Sequence, residues 1–387
     1  MRVAHVPMPL STSASSVTTV ARQLARQEQV RGGAVFAIMS SERDVVFDDA
    51  DIVSVEYARY CRRQWFTEKE MLLDHALGLL GRYRRFSGRI FVPAIEAART
   101  LDVDIVFLHE GHYATGSLAY WRKLWPAARV VLYVHTPISR AYRRRELTKL
   151  LNQAEQVIFV SEHLRAATLM RAGRLDVPTA VVHNGIDHEI FHARGRTPPT
   201  EALRVMFAGQ VAEHKGVHLI LAAANQAVGS MHIQIVGRPQ HGYAGPLSDY
   251  EAGLRQTVMR PGVTVQFVPY LSQDRLAEAF RDCDVVCVPS VWEEPFGMVV
   301  LEAMGCGAAV IASPRGGLPE ACGGAAQIVD PVDLAAFAGA LNRLQVPSHL
   351  DAAQAGSAAR AAGASWAAAY DAVLASIGRS DQLPTPG

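Results

Sequence analysis

The sequence predicts an α/β protein made of two doubly wound, parallel-sheet halves that face a central cleft. Three observations predict it. Short β-branched runs alternate with helix-length amphipathic stretches. The alternation stops near residue 192 and restarts near residue 203. Between the two, residues 193–200 read Ala-Arg-Gly-Arg-Thr-Pro-Pro-Thr, a polar, Pro-rich stretch without periodicity, as expected of a linker.

In chain order, the first half has buried-strand patterns at 3–6, 34–39, 105–108, 130–134, 157–160 and 180–182. Between them, helical periodicity covers 17–29, 70–80, 114–124 and 140–151. The second half has strands at 203–207, 232–236, 264–268, 285–289, 309–312 and 326–329, with helices at 217–227, 273–281, 298–304 and 334–344. The Ala-rich stretch 352–364 is helix-prone. The expected division is an N-terminal domain over 1–190, a linker over 192–200 and a second domain over 201–362. A terminal helix over 365–379 and a disordered tail over 380–387 complete the chain. Sheets of this kind take ligands beyond the carboxyl ends of their strands, and paired domains take them in the cleft between.

Composition narrows the function. With 49% hydrophobic and 19% charged residues the chain can bury large cores, which excludes a disordered protein. A net charge of +1 argues against a bulk nucleic-acid binder. That total hides an asymmetry: residues 1–187 carry 25 basic and 19 acidic side chains, and residues 188–387 carry 13 and 18. Lysine is rare, and Lys215 is the only one in the second half. The N-terminal ten residues are too short and Pro-broken for a signal peptide. No run of 18 uncharged apolar residues occurs, so a cytoplasmic location is expected. Five cysteines, Cys61, Cys283, Cys287, Cys306 and Cys322, form no C-x-x-C pair and read as reduced, mostly buried thiols rather than a zinc site.

The densest signal is residues 290–304, Ser-Val-Trp-Glu-Glu-Pro-Phe-Gly-Met-Val-Val-Leu-Glu-Ala-Met. A strand ends near Pro289, a loop carries Glu293 and Glu294, and Gly297 leads into a helix. Glu294 stands at the helix mouth and Glu302 lies a little over two turns along it. The free N–H groups of such a helix start favour an anion such as a diphosphate. On spacing alone, a capped helix with two solvated acids fits equally well.

This stretch resembles the Glu-Pro-Phe-Gly…Glu signature of retaining glycosyltransferases of family 4, which have the GT-B fold of two Rossmann-like domains. The resemblance runs along the chain. His183-Asn184-Gly185-Ile186-Asp187…Phe191 is similar to the family's turn at the domain junction, and Phe207-Ala208-Gly209…Lys215-Gly216 to its phosphate loop. Arg315-Gly316-Gly317-Leu318-Pro319-Glu320, Val134-His135-Thr136-Pro137 and Ser365-Trp366 match three further elements.

The resemblance implies a glycosyltransferase, metal-independent and without a cofactor, that moves a hexosyl unit from a nucleotide-diphosphate sugar to a hydroxyl, with retention of configuration. A UDP-sugar is favoured as the commonest donor class. Glu302 is implied to bind the nucleotide ribose, and Glu294, Phe296 and Gly297 the donor sugar. Lys215 and the Gly209 loop would hold the diphosphate, and His135 would close over the sugar. His135 and Glu294 are therefore the expected catalytic pair. Lys215 read without the resemblance is a solvated lysine at a helix start.

Three departures stand out. Gln210 occupies a position where the family often has arginine, so Arg238 or Arg315 is expected to supply the missing cation. The family's Gly-Gly loop after the first strand is replaced by residues 9–16, Pro-Leu-Ser-Thr-Ser-Ala-Ser-Ser, where Ser13 is an acceptor-site candidate and a helix N-cap run is the plainer reading. Glu293 reads as a solvated loop acid without a role.

His109, Glu110, His112 and Arg140 are further acceptor candidates by position, while His5 reads as a hydrogen-bonded core histidine. Basic clusters at Arg82, Arg84, Arg85 and Arg89, and at Arg140, Arg143, Arg144, Arg145 and Lys149, are either solvated helix faces or a surface for a lipid-linked or anionic acceptor at a membrane. A glycan or a small antibiotic-type aglycone is equally open as acceptor. No nucleic-acid partner is expected, and the oligomeric state is not fixed by the sequence. A nucleotide-sugar 2-epimerase and a sugar phosphorylase or synthase on the same fold are the competing readings; a nicotinamide dehydrogenase is disfavoured because no G-x-G-x-x-G follows the first strand.

Overall fold

The computed structural model describes residues 1–7, 15–40, 50–55, 72–73, 76, 91–109, 112–139, 142–197, 200–238 and 245–378. The chain divides into two compact units, Met1–His183 with Ala369–Gly387, and Asn184–Ala368.

The first unit is built on a seven-stranded parallel sheet of order β3-β2-β1-β4-β5-β6-β7. Its strands are β1 (Arg2–Val6), β2 (Ala34–Ser40), β3 (Asp51–Val55), β4 (Ile105–His109), β5 (Arg129–Val134), β6 (Gln156–Phe159) and β7 (Thr179–Val181). The described helices are α1 (Ser16–Val30), α2 (Val92–Ala97), α3 (His112–Leu124), α4 (Arg144–Leu151) and α5 (Glu162–Ala172). The central strands β4 and β6 are buried along their whole length, because helices cover both faces of a doubly wound sheet. Edge strand β3 carries Asp51 and Ser54 and is largely exposed, so it lacks the apolar run by which buried strands are recognised. Ser15 caps α1 by accepting from the Thr18 N–H at 3.2 Å, and Ser161 caps α5 through Leu164 at the same distance.

The helix expected over 140–151 begins only at Arg144. Arg143 has extended φ/ψ, and its N–H reaches the Glu146 carboxylate at 3.4 Å, so the chain enters the helix three residues before Glu146. Most of the helix expected over 70–80 lies outside the described residues.

The second unit repeats the plan with a six-stranded parallel sheet of order β10-β9-β8-β11-β12-β13. Its strands are β8 (Leu203–Ala208), β9 (Met231–Val236), β10 (Val263–Val268), β11 (Val285–Val288), β12 (Ala309–Ala312) and β13 (Gln327–Ile328). The helices are α6 (Val217–Gln226), α7 (Asp249–Arg255), α8 (Gln273–Asp282), α9 (Met298–Gly305), α10 (Leu318–Cys322), α11 (Leu334–Leu344) and α12 (Pro347–Ala362). Ile220 and Leu221 of α6 and Phe337 and Leu341 of α11 share one core with Val205, Phe207 and Val285 of the sheet. Each such side chain contributes about 1.5–3 kcal/mol when fully buried.

Residues 192–197 of the expected linker lie in this second unit. Arg204 forks onto buried Asp284 at 2.6 and 3.0 Å, and Arg196 approaches the same carboxylate at 3.6 Å. A carboxylate buried this deeply must be paired, and the chain before β8 supplies part of the pairing.

A last helix, α13 (Trp366–Ser376), starts in the second unit and from Ala369 onward belongs to the first. There Tyr370 donates to the buried Glu28 carboxylate, and Arg31 pairs with Asp371 at 2.6 Å. The Asn184-Gly185-Ile186 turn is tied to the chain just before α13. Ile186 N–H donates to the Ala364 carbonyl at 2.8 Å, and a Cβ on Gly185 would stand 2.5 Å from the Ser365 backbone. Glycine is required at that crossing.

Candidate active site

In the second unit the strand order reverses between β8 and β11, so the loops after these strands open a crevice at the switch point. The loop after β8 carries Gly209, Gln210 and a 3-10 turn, Glu213–Lys215. It is laced to the loop after β9: Gly209 N–H donates to Val236 at 3.0 Å and Val211 N–H to Arg238 at 3.1 Å. Gly216 then takes a left-handed conformation (φ 74°), and a Cβ there would stand 2.1 Å from the Pro289 carbonyl. That close approach brings the β8 loop onto the β11 loop.

The consequence is a compact polar cluster. Lys215 Nζ lies 2.6 Å from Glu294 Oε1, and Ser290 Oγ donates to the same oxygen at 2.6 Å. Lys215 also sits 5.1 Å from the centre of the Trp292 ring, and His214 packs edge-on against that ring. Burial, and next the Lys215 charge, push the His214 imidazole below its ordinary pKa, with Glu294 opposing. The ammonium spends one of its three N–H donors on Glu294, which leaves two for an anion. Both bonds to Glu294 end on Oε1, so Oε2 remains as an acceptor.

Helix α9 starts at the same place. Gly297 (φ 99°) is its N-cap and offers no side-chain cap; the Val300 N–H returns to the Gly297 carbonyl at 3.1 Å, which leaves the N–H groups ahead of Val300 to a ligand. Phe296 is buried beneath this turn. Glu302 lies farther along α9, and burial pushes its carboxyl up to about 7. It stands close enough to Tyr270 to help raise that phenol, after burial, above its ordinary pKa.

The other sequence candidates of this unit are placed as follows. Gln210 is exposed on the β8 loop. Arg238 donates to the Gly245 carbonyl at 2.7 Å and lies 3.5 Å from buried Glu251. Arg315 pairs with Asp330 at 3.1 Å. Glu293 corrects an expectation, for it is not a solvated loop acid. Its carboxylate accepts the Gly316 N–H at 2.6 Å, while the Gly317 N–H donates to the Glu294 carbonyl at 2.7 Å, pinning the Gly316-Gly317 turn to the Glu294 loop.

In the first unit the order reverses between β1 and β4. His109 ends β4, and His135 follows β5 with only 6% exposure. His109 Nδ1 is 3.1 Å from His135 Nε2, and His109 Nε2 is 2.9 Å from His5 Nδ1. His5 is thus the hydrogen-bonded core histidine that the sequence indicates, but bonded to a site candidate. Burial pushes His5 and His135 down to about 3 and His109 well below its ordinary value, so all three rings are neutral. His112 opens α3; Ser13, Glu110 and Arg140 lie outside the described residues. Among the described residues no cluster of His, Cys, Asp or Glu is arranged to hold a metal ion.

Comparison with known proteins gives the family and the fold. Residues 16–190 match Glycosyltransferase Family 4, and residues 202–345 match Glycosyl transferases group 1. The chain belongs to this glycosyltransferase family. It is 32% identical over 250 residues to D-inositol 3-phosphate glycosyltransferase of Mycolicibacterium smegmatis, covering 60% of this chain and 54% of that one. The counterpart in Mycolicibacterium paratuberculosis is 35% identical over 214 residues, covering 52% and 47%. The chain spans about half the length of the curated relatives it matches.

Solved GT-B structures align over nearly the whole chain. Sucrose-phosphate synthase from Thermosynechococcus elongatus has a TM-score of 0.74 at 19% identity, covering 98% of each chain. Anabaena HepE in complex with UDP and glucose has 0.71 at 17%, covering 98% of this chain and 99% of HepE. The fold is GT-B, with two Rossmann-like units. Three features of the site are not legible in the sequence: the Ser290 bond to Glu294, the approach of Lys215 to Trp292, and the fit of Gly216 against Pro289. A Ser four residues before the motif Glu is the signal that could have found Ser290.

Proposed function

We propose that the protein is a metal-independent glycosyltransferase that transfers a hexosyl unit from a nucleotide-diphosphate sugar, a UDP-sugar by preference, to a hydroxyl acceptor, with retention of configuration. The observation that carries this reading is the Lys215–Glu294–Ser290 cluster at the β8/β11 switch point beside the uncapped start of α9. A departing diphosphate needs cations and N–H donors fixed in advance, because charge that develops in the transition state is stabilised without reorganisation. Lys215 and the leading N–H groups of α9 are such donors. Glu294 Oε2 would accept from hydroxyls of the donor sugar, Phe296 and Gly297 would offer backbone N–H groups to it, and Glu302 would accept from ribose hydroxyls. His135 is assigned to the donor sugar, and His109 to the support of His135. The named activity of the mycobacterial relatives and the UDP bound by HepE support a sugar-nucleotide donor.

For the acceptor, the exposed Arg143, Arg144, Arg145 and Lys149 of the α4 region favour an anionic molecule, such as a sugar phosphate or an anionic lipid headgroup. No described helix is long and apolar enough to cross a membrane.

The deciding experiment is Lys215→Ala with binding measured by calorimetry. Affinity for a nucleoside diphosphate should fall about 10- to 100-fold while affinity for the nucleoside stays within about twofold, the loss expected for one charge-assisted contact. Equal losses for both ligands would remove Lys215 from the phosphate site. Incubating the donor without acceptor tests the activity itself: slow hydrolysis fits transfer, and an epimerised nucleotide sugar would overturn it.

A further inference from the structure

We propose that His5, His109 and His135 form a one-directional chain of neutral imidazoles that holds His135 in its Nδ1–H form, so that His5 and His109 are positioning residues for His135. The functional consequence rests on the reading of His135 as an active-site residue; the chain itself does not.

The chain follows from the sheet register. His5 on β1 is level with Phe107, two residues before His109, and His109 on β4 is level with Tyr133, two residues before His135. Side chains two residues apart point to the same face of a strand, so the three rings climb one face of the sheet as a staircase, one strand and two residues per step. Their nitrogens meet at 2.9 and 3.1 Å, and adjacent ring planes differ by only 23° and 20°. Phe107 and Tyr133 stack beside the rings and hold their planes.

A neutral imidazole has one donor and one acceptor nitrogen. His109 uses both nitrogens in the chain, so its tautomer dictates those of its neighbours, and only two arrangements exist. In the first, His5 Nδ1–H donates to His109, His109 Nδ1–H donates to His135, and His135 presents its own Nδ1–H outward. In the second, every proton sits on Nε2, the bonds run the other way, and His5 Nε2–H is left as the end of the chain. His5 is fully buried, and its Nε2 has no partner among the described residues. The second arrangement therefore strands a buried N–H, which folded proteins avoid more strictly than an unused lone pair. Imidazole in water favours the Nε2–H form slightly, a weaker effect than burying an unpaired donor. The first arrangement wins, and in it every N–H of the chain is either bonded or presented beyond the end of β5. His135 is then a fixed hydrogen-bond donor to a substrate oxygen rather than a base.

The test needs no substrate. In the full chain labelled with ¹⁵N, long-range ¹H–¹⁵N correlation at pH 7 reads which ring nitrogen is protonated, and His135 is assigned by the signals lost in His135→Gln. The expected pattern for His135 is a protonated Nδ1 and an unprotonated Nε2. A protonated Nε2, or signals averaged between the two forms, would overturn the proposal. His109→Leu removes the donor and should shift His135 to a mixture dominated by Nε2–H; an unchanged pattern would show that His109 does not position it. His109→Asn places an amide donor where Nδ1 stood and should restore the native pattern, which a mere packing defect would not do. If His109→Leu fails to fold, the wild-type spectrum and His109→Asn decide. A native tautomer pattern in a protein that transfers no sugar would refute the proposed function and leave this inference standing.

Discussion

Replacing Glu302 by Gln should stabilise the protein while weakening the proposed nucleotide site, and the size of the stabilisation follows from burial. A glutamate of ordinary pKa 4.5 is pushed up to about 7 on α9 by loss of solvent. Below pH 4.5 the side chain is neutral in both folded and unfolded chains and costs nothing. Between pH 4.5 and 7 the unfolded chain ionises and the folded one resists, so stability falls as pH rises, and above pH 7 the loss is complete. At about 1.4 kcal/mol per pH unit, the ionised carboxylate costs folding about 1 kcal/mol at pH 5 and about 3 kcal/mol at pH 8. Glu302→Gln keeps the shape and removes the charge, so its advantage over the native protein should widen by about 2 kcal/mol between those pH values. Urea unfolding at pH 5, 6, 7 and 8, followed through the transition that includes the second unit, measures this. An advantage that stays flat with pH, or a variant less stable at pH 8, would refute the argument that burial alone raises this carboxyl. The same variant should bind the free nucleoside more weakly, since the carboxylate proposed to bind the ribose has become an amide.

Gly216→Ala should destabilise the second unit by at least about 2 kcal/mol in urea unfolding, because alanine is strained at positive φ and its Cβ meets the Pro289 carbonyl. Arg238→Ala or Arg315→Ala should weaken donor binding about tenfold if that arginine compensates for Gln210; calorimetry with a nucleotide sugar reads it, and native affinity in both variants would assign the diphosphate to Lys215 and α9 alone. Burial pushes the thiols of Cys283, Cys306 and Cys322 up to about 12, and that of Cys287 higher still, so native protein should show these four unreactive to a thiol reagent at pH 8 and all of them reactive in denaturant.

The sequence made the second unit more legible than the first. Central strands such as β11 and β12 are continuous apolar runs, and such runs are visible because both faces are buried. Edge strand β3 is invisible to that test, since Asp51–Val55 buries little more than Val55. Glu294 and Lys215 could be singled out by motif, but their 2.6 Å contact spans 79 positions and depends on Gly216 fitting against Pro289, which no local pattern encodes. Glu293 looked idle for the same reason, its partner being an N–H 23 residues away. His5 shows the limit most clearly. One polar residue in an apolar strand indicates a satisfied core histidine, and only the register of β1, β4 and β5 reveals that it is satisfied by a chain ending at His135.

Charge gives the last step of the argument. The half of the chain from residue 188 onward carries more acid than base, yet the proposed reaction requires it to receive a diphosphate. Bulk charge cannot do this, so the attraction must be local and fixed. Two of its arginines near the candidate loops are already engaged, Arg238 with Gly245 and Glu251 and Arg315 with Asp330, and the family arginine is replaced by Gln210. Lys215 is also paired, but an ammonium on a single carboxylate oxygen keeps two donors, whereas Arg238 is held by the Gly245 carbonyl as well as by Glu251, a carboxylate it shares with Arg255. The physics therefore favours Lys215 and the backbone of α9 as the diphosphate site, with the arginines as its frame. On that account the acidity of the second half is an asset: it disfavours anions everywhere except at the one switch point where lysine, helix start and glycine-permitted backbone meet.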